Sequence, residues 1–426
     1  MTSTRLLGAG LLFYVIAAGC SGNGCSCTQP IPGGFPEDQR VENALQVRVS
    51  AGGLDKIEQN PTGVLAGLIG NGGGLTFDVP VSCTGDNTTC CVDNVPVSPC
   101  GPIELDLSPQ AANEQPGGAA ARLVVDPVTD QDRVHVTLRA RVQTIDDLTV
   151  HIGSLNMTCK VHVNTRDAAN ESLTLGLDAQ FAQETWGATR VDFENVDIAD
   201  FDDGDVTISP GDFSCYALEY LFKPIVVPMF VDQFKGTITD MLKDQTCKQC
   251  PSGDVAECGS MHATACTDKV CEISDGVCLQ ELGLTGRMTG DALLGNASPG
   301  TTGSIDVYDV AGGYSTTNGD TPAEDGDEGL SLGLYGGLLP SGQERDRCGP
   351  PATAPADVAI APSDYFQGNT NPDDDSPFDF ALGVHQHNLD LFAYGAYEGG
   401  LMCLNIGTRT IDMLTSETLA VLMPSF

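Results

Sequence analysis

Residues 44–60, ALQVRVSAGGLDKIEQN, alternate strictly and then change period. Leu45, Val47 and Val49 fall on one side of an extended chain, and Gln46, Arg48 and Ser50 fall on the other. With no proline or turn cluster between, Leu54, Ile57, Leu65, Leu68 and Ile69 then recur at helical spacing. A short strand running straight into an amphipathic helix is the expectation. From 75 to 209 the period is two again: Leu75, Phe77, Val79 and Val81; Val136, Leu138, Ala140 and Val142; Cys159, Val161 and Val163; Leu173, Leu175, Leu177, Ala179 and Phe181. Period two over so many segments predicts an antiparallel sheet wet on one face only.

The period changes once more at 215–247, where Leu218, Leu221, Phe222 and Ile225, then Phe230, Phe234, Ile238, Met241 and Leu242, predict a long helix. Pro224 and Pro228 bend it or delay its start, since each removes a backbone donor. Glycine-rich alternating segments return over 282–340, and a loop heavy in Asp, Pro and Asn covers 341–376. Residues 377–406 repeat the opening pattern: Phe378, Phe380 and Leu382 alternate, then Leu389, Phe392 and Tyr397 keep helical spacing.

The first residues set the compartment. Arg5 precedes an apolar stretch, 6–19, that is short for a bilayer span, and Cys20 follows Ala18-Gly19. This reads as a bacterial lipoprotein signal (1–19), with acylated Cys20 as the membrane anchor, and Ser21 resembles an outer-membrane address. Residues 20–39 read as a flexible tether in which Cys25 and Cys27 pin the start of the fold. Of the seventeen cysteines, those other than Cys20 form the even complement of an exported, disulfide-bonded protein. The segment 82–100 reads as a stapled loop. Six cysteines between 247 and 278 form a cysteine-rich insert (248–281), for which disulfides fit an exported chain better than zinc does.

The formal net charge of -38 excludes nucleic acid as a partner, because phosphate neutralisation needs basic residues. Candidate chemistry is thin. GLSLG, 329–333, has the spacing of a serine-hydrolase elbow, but Leu330, Leu332 and Leu334 continue a strand where that elbow needs a helix. His385 and His387 lie on one side of an extended segment without a third ligand nearby. The acidic runs at 200–206, 325–329 and 372–379 lack the twelve-residue register of a calcium loop with its closing Glu and read as solvated loops. No enzymatic activity, metal or cofactor is expected.

A strand ending in Ser before a Gly-Leu-Asp helix start (VRVSAGGLD), a long one-faced meander, a second helix closing on a cysteine (215–247), and a second opening of the same kind at 382–406 together resemble the tubular lipid-binding superfamily, and within it the bactericidal/permeability-increasing group. That resemblance implies an α+β fold in which a strongly twisted antiparallel sheet wraps around long helices. It implies a first lipid-binding domain over 40–247 and a second domain of the same kind, incomplete or abbreviated, over 282–426. It implies an apolar channel between helices and sheet that takes phospholipid or another acyl-chain ligand. The lipid-contacting residues would be Leu54, Ile57, Leu65, Leu68, Phe222, Ile225, Phe230, Phe234, Ile238, Leu175, Leu177 and Phe181. The alternative is a cell-surface interaction protein of the same fold with a filled core. The protein partner is unknown from sequence.

Overall fold

The computed structural model describes residues 28–60, 75–78, 102–106, 123–144, 148–152, 157–165, 173–208, 246–294, 300–319, 327–342 and 348–404, together with helical residues at 227–228, 231–232, 234–236, 238–240 and 242–243. In chain order the first part holds strand β1 (Val41–Ser50), helix α1 (Ala51–Gln59), β2 (Leu75–Asp78), β3 (Pro102–Asp106), β4 (Leu123–Val128), β5 (Arg133–Thr144) and β6 (Leu148–Ile152). The middle holds β7 (Met157–Val163), β8 (Leu173–Gln183), β9 (Thr189–Ala199), β10 (Val206–Ile208), β11 (Ala265–Thr267), β12 (Val270–Ser274) and β13 (Val277–Cys278). The last part holds β14 (Gly283–Thr289), α2 (Gly290–Leu294), β15 (Ser304–Asn318), β16 (Gly329–Gly336), β17 (Leu338–Pro340), β18 (Phe380–Val384) and α3 (Gln386–Glu398).

The architecture is mostly antiparallel sheet with few helices. One sheet runs β2-β3-β5-β8-β9, with β4 also on β5. Its apolar side chains share one face, because Val136 lies opposite Leu177 and Leu138 opposite Leu175 in register. Val134, Leu138, Ala140, Val142, Leu173, Leu175 and Leu177 are buried there, each such side chain contributing ~1.5–3 kcal/mol. The other face carries His135, Asp178 and Asn195, joined by a 2.7 Å contact between His135 Nδ1 and Asp178 Oδ1 and a 2.7 Å hydrogen bond from Asn195. One dry face and one wet face is what the alternation requires.

A second sheet runs β14-β15-β16-β1-β18, with β17 on β15. The resemblance makes strand β1 the opening of a first domain over 40–247. It pairs instead with β16 and β18, Val47 standing opposite both Leu332 and Leu382. The reason is local: Ser50 caps α1 by accepting from the Gly53 N–H at 3.3 Å, and its own N–H donates to the Asp379 carbonyl at 3.1 Å. A Cβ at Gly53 would lie 2.1 Å from that same carbonyl. The Ser-Ala-Gly-Gly sequence therefore serves both the helix cap and the close passage of the chain that leads into β18.

The two sheets meet at β15. Asp130 donates its N–H to the Thr317 carbonyl at 3.2 Å, and Gly313 donates to the Gly187 carbonyl at 3.2 Å, so the β4–β5 and β8–β9 turns both abut this strand. Glu58 of α1 accepts the Val125 N–H of β4 at 2.8 Å, fastening the helix to the first sheet as well.

Residues 28–39, expected as part of a flexible tether, are packed. Gln29 forms a bridge with Arg287, and Ile31 and Phe35 are buried with Tyr308, Val310 and Ala188. The apolar side chains at 31 and 35 explain this, since a tether would leave both in water. Residues 1–27, which include Cys20, Cys25 and Cys27, and the loop 82–100 lie outside the described residues.

The cysteine-rich insert is a module of its own. Cys247 pairs with Cys278, Cys250 with Cys266 and Cys258 with Cys271, around the small β11-β12-β13 sheet. Sγ atoms of Cys250, Cys258 and Cys271 lie within 4.8 Å of one another, yet each sulfur is committed to a disulfide, so no thiolate is left for a metal. A fourth disulfide, Cys348–Cys403, ties the 341–376 loop to the turn after α3.

Candidate functional site

The second sheet inverts the usual rule of apolar inside and polar outside. Its register aligns three rows of side chains on one face: Val384, Leu45, Leu334 and Ala311; then Leu382, Val47 and Leu332; then Phe380, Val49 and Leu330. All are apolar. On the opposite face Gln46, Arg48, Ser50 and Ser331 are nonetheless buried, with Arg48 and Ser50 at 0% exposure. The apolar face is called the front below.

The 360–379 segment buries the polar back, and it does so by hydrogen bonding. Arg48 donates to Ser331 Oγ at 3.1 Å, to the Asp327 and Glu328 carbonyls at 2.6 and 3.2 Å, and to Asn369 Oδ1 at 3.0 Å. Ser331 Oγ donates to the Phe366 carbonyl, and Ser50 Oγ to that of Phe378. Gln46 Oε1 accepts the Ser363 N–H at 2.8 Å. Burial presses the Arg48 guanidinium below its ordinary value, against the attraction of Asp327. A cation buried against carbonyls is a fastening device for a loop without regular structure.

Helix α3 covers one end of the front. His385 caps it, its side chain accepting the His387 N–H. Ala396, with Leu391 and Phe392 beside it, packs on Met288, Ile305, Val307 and Leu338. Beneath the first turn lies Asp309, which takes a hydrogen bond from Asn388. Burial pushes its carboxyl up to about 7, and its Oδ1 has no partner among the described residues. Beyond that turn the face opens: Leu45 is 2% exposed, the rows through Val47 and Val49 are half-buried, and at the β18 edge Leu382 and Phe380 reach 41% and 59%. Leaving such side chains in water forfeits ~1.5–3 kcal/mol each. On β15 these rows end in Ser315 and in buried Thr317, whose hydroxyl donates to the Val128 carbonyl at 2.7 Å; across β16, β1 and β18 they carry no titratable group, so that part of the face suits an apolar ligand.

Seven of the lipid-contacting residues expected from sequence lie on other described elements. Leu175 and Leu177 are buried and Phe181 half-buried on β8; Leu54 is buried and Ile57 half-buried on α1; Phe234 and Ile238 are buried in the helical residues. The Lys235 ammonium lies 3.0 Å from Asp197 Oδ1, which holds this helical stretch against β9. Leu65, Leu68, Phe222, Ile225 and Phe230 lie outside the described residues. The residues of the open face were visible in the sequence only as three separate alternations, in β1, β16 and β18.

The remaining candidates resolve into structure. Ser331 is a buried strand residue with no helix after it. His385 and His387 belong to the start of α3 rather than to an extended segment, and His387 is buried. In the 200–206 loop Asp205 accepts the Asp202 N–H at 2.8 Å, and Asp202 accepts that of Gly204 at 2.6 Å. Burial, with the Asp202 charge, raises the Asp205 carboxyl to about 6.

No protein-family model matches the chain, and no curated protein matches it. Among solved structures, a crystal structure of lipopolysaccharide binding protein aligns at 12% identity and a TM-score of 0.28, over 70% of this chain and 51% of that one. The chain thus spans about half the length of that protein, and a superposition this loose carries no argument about fold or ligand.

Proposed function

We propose that the chain is a non-enzymatic lipid-binding lipoprotein of a bacterial envelope, in the manner of the tubular lipid-binding proteins its sequence resembles, fixed to the outer membrane through acylated Cys20. The ligand is a phospholipid or another acyl-chain molecule lying along the front of the second sheet. The observation that carries this reading is the open apolar face of Val47, Val49, Leu330, Leu332, Leu382 and Phe380. Each methylene buried there contributes ~0.8 kcal/mol, so a chain of about a dozen methylenes supplies on the order of 10 kcal/mol before ordering costs. The net charge of -38 disfavours polyphosphorylated headgroups.

The test is native mass spectrometry with lipid extraction of protein purified from its own cells, alongside Leu332→Asp and Leu382→Asp. Acyl chains in defined stoichiometry that disappear in both variants support the reading. Protein that arrives empty, or variants that keep the lipid, overturn it. Cys20→Ser tests the anchor separately, by moving the protein from the membrane to the soluble fraction.

A further inference from the structure

We propose that the cleft between β9 and the cysteine-rich module binds an extended, basic peptide segment of a partner protein, which adds as a strand to the outer edge of β9.

The first observation is an edge already half imitated. Phe181 donates its N–H to the Asp132 carbonyl at 2.7 Å, away from β9, so Val191 opposite it turns its own N–H and C=O outward. There the Gln280 side chain takes the place of a neighbouring strand: its Oε1 accepts from Val191 N at 2.8 Å and its Nε2 donates to Val191 O at 3.0 Å. By period two the peptide groups of Phe193 face the same way, and among the described residues nothing pairs with them. Strand β9 is the last in its sheet. An unpaired edge of this kind is a template for another chain.

The second observation is the space beside that edge. A cleft of about 790 Å³ runs along residues 190–194, with the module opposite and the helical residues at 240 and 243 to one side. That is the size of a ligand cleft, ~300–1,000 Å³. Val191, Phe193 and Val277 give it apolar patches.

The third observation is the charge within it. Asp192, Glu194, Asp240, Asp268 and Glu272 line the cleft against two cations, Arg190 and Lys243. Arg190 is already engaged, 2.8 Å from Asp192 and 2.7 Å from Glu184. The surplus is negative on the β9 and module walls, while Asp240 and Lys243 balance on the helical side, and this complements Lys or Arg side chains alternating along an extended strand. Backbone pairing supplies the register, and the carboxylates select the sequence.

The experiment uses the full chain and a fluorescein-labelled octapeptide of alternating lysine and valine, read by anisotropy. Two double variants change net charge equally: Asp240→Lys with Asp268→Lys inside the cleft, and Asp357→Lys with Asp364→Lys away from it. The same peptide N-methylated on every other amide, made in both registers, removes the edge hydrogen bonds while keeping the charge. The cleft variant and one methylated register are expected to weaken binding by about tenfold or more, and the remote variant by less than about threefold. Equal weakening by the two double variants, undiminished binding of both methylated peptides, or no binding by the unaltered chain overturns the proposal.

Discussion

Asp309→Asn tests whether α3 rests on the front sheet over a neutral carboxylic acid. Asp309 is 8% exposed, and its Oδ1 and the Oδ1 of Asn388 both lack partners among the described residues. Burial raises the carboxyl from 3.8 to about 7, a difference of about 3 units. At about 1.4 kcal/mol per unit, ionising it in the folded protein costs on the order of 4 kcal/mol. The sign follows from proton counting. Between pH 3.8 and about 7 the unfolded chain has lost this proton and the folded chain keeps it, so the stability it contributes is full below pH 3.8 and is lost as pH rises to about 7. Asparagine does not titrate, and its amide can donate to the orphaned Asn388 oxygen. Urea melts of both proteins across this range, followed by Trp186, the single tryptophan, give the difference directly. The variant should match the parent near pH 4 and exceed it at about pH 8 by up to ~4 kcal/mol. A difference that stays flat with pH, or a parent more stable than the variant at alkaline pH, refutes the reasoning.

Arg48→Met strands the Asp327 and Glu328 carbonyls and Asn369, and should cost on the order of 3–5 kcal/mol in chemical denaturation. Arg48→Lys should recover little of this, since an ammonium does not reproduce the fork. Removing the Cys258–Cys271 disulfide by a double Ala substitution should cost ~2–4 kcal/mol and expose the module to limited proteolysis while the second sheet keeps its protection; unchanged cleavage would count against the module's dependence on it. His262 stacks on Trp186 with ring centroids 4.1 Å apart, and burial, then the Arg40 charge, holds its pKa below 6.5. On acidification the unfolded chain therefore protonates first and stability falls below pH 6.5; the fall should be smaller in His262→Gln, as measured by melts at paired pH values.

Much of the fold was legible locally. Period two named the strands β5, β8, β16 and β18, the helical spacing of Leu54 and Ile57 announced α1, and the change of period after Leu382 announced α3. An even complement of cysteines, in a chain read from its first residues as exported, favoured disulfides over zinc, and the three pairs of the module follow that chemistry. These features depend on neighbours within a few residues, where sterics and capping act. Which strands become neighbours does not. Val47 meets Leu332 and Leu382 across nearly the whole chain, and nothing in the alternation of β1 distinguishes those partners from the strands of the first sheet. Alternation also says that a strand has two different faces without saying which is covered. The 360–379 segment decided that for the second sheet: its carbonyls and Asn369 satisfied Arg48, Ser50 and Ser331, burying the polar side and leaving the apolar one open. Tertiary contacts alone decided that these alternating side chains stay open, because burial is set by what lies across from a residue and not by the residue itself.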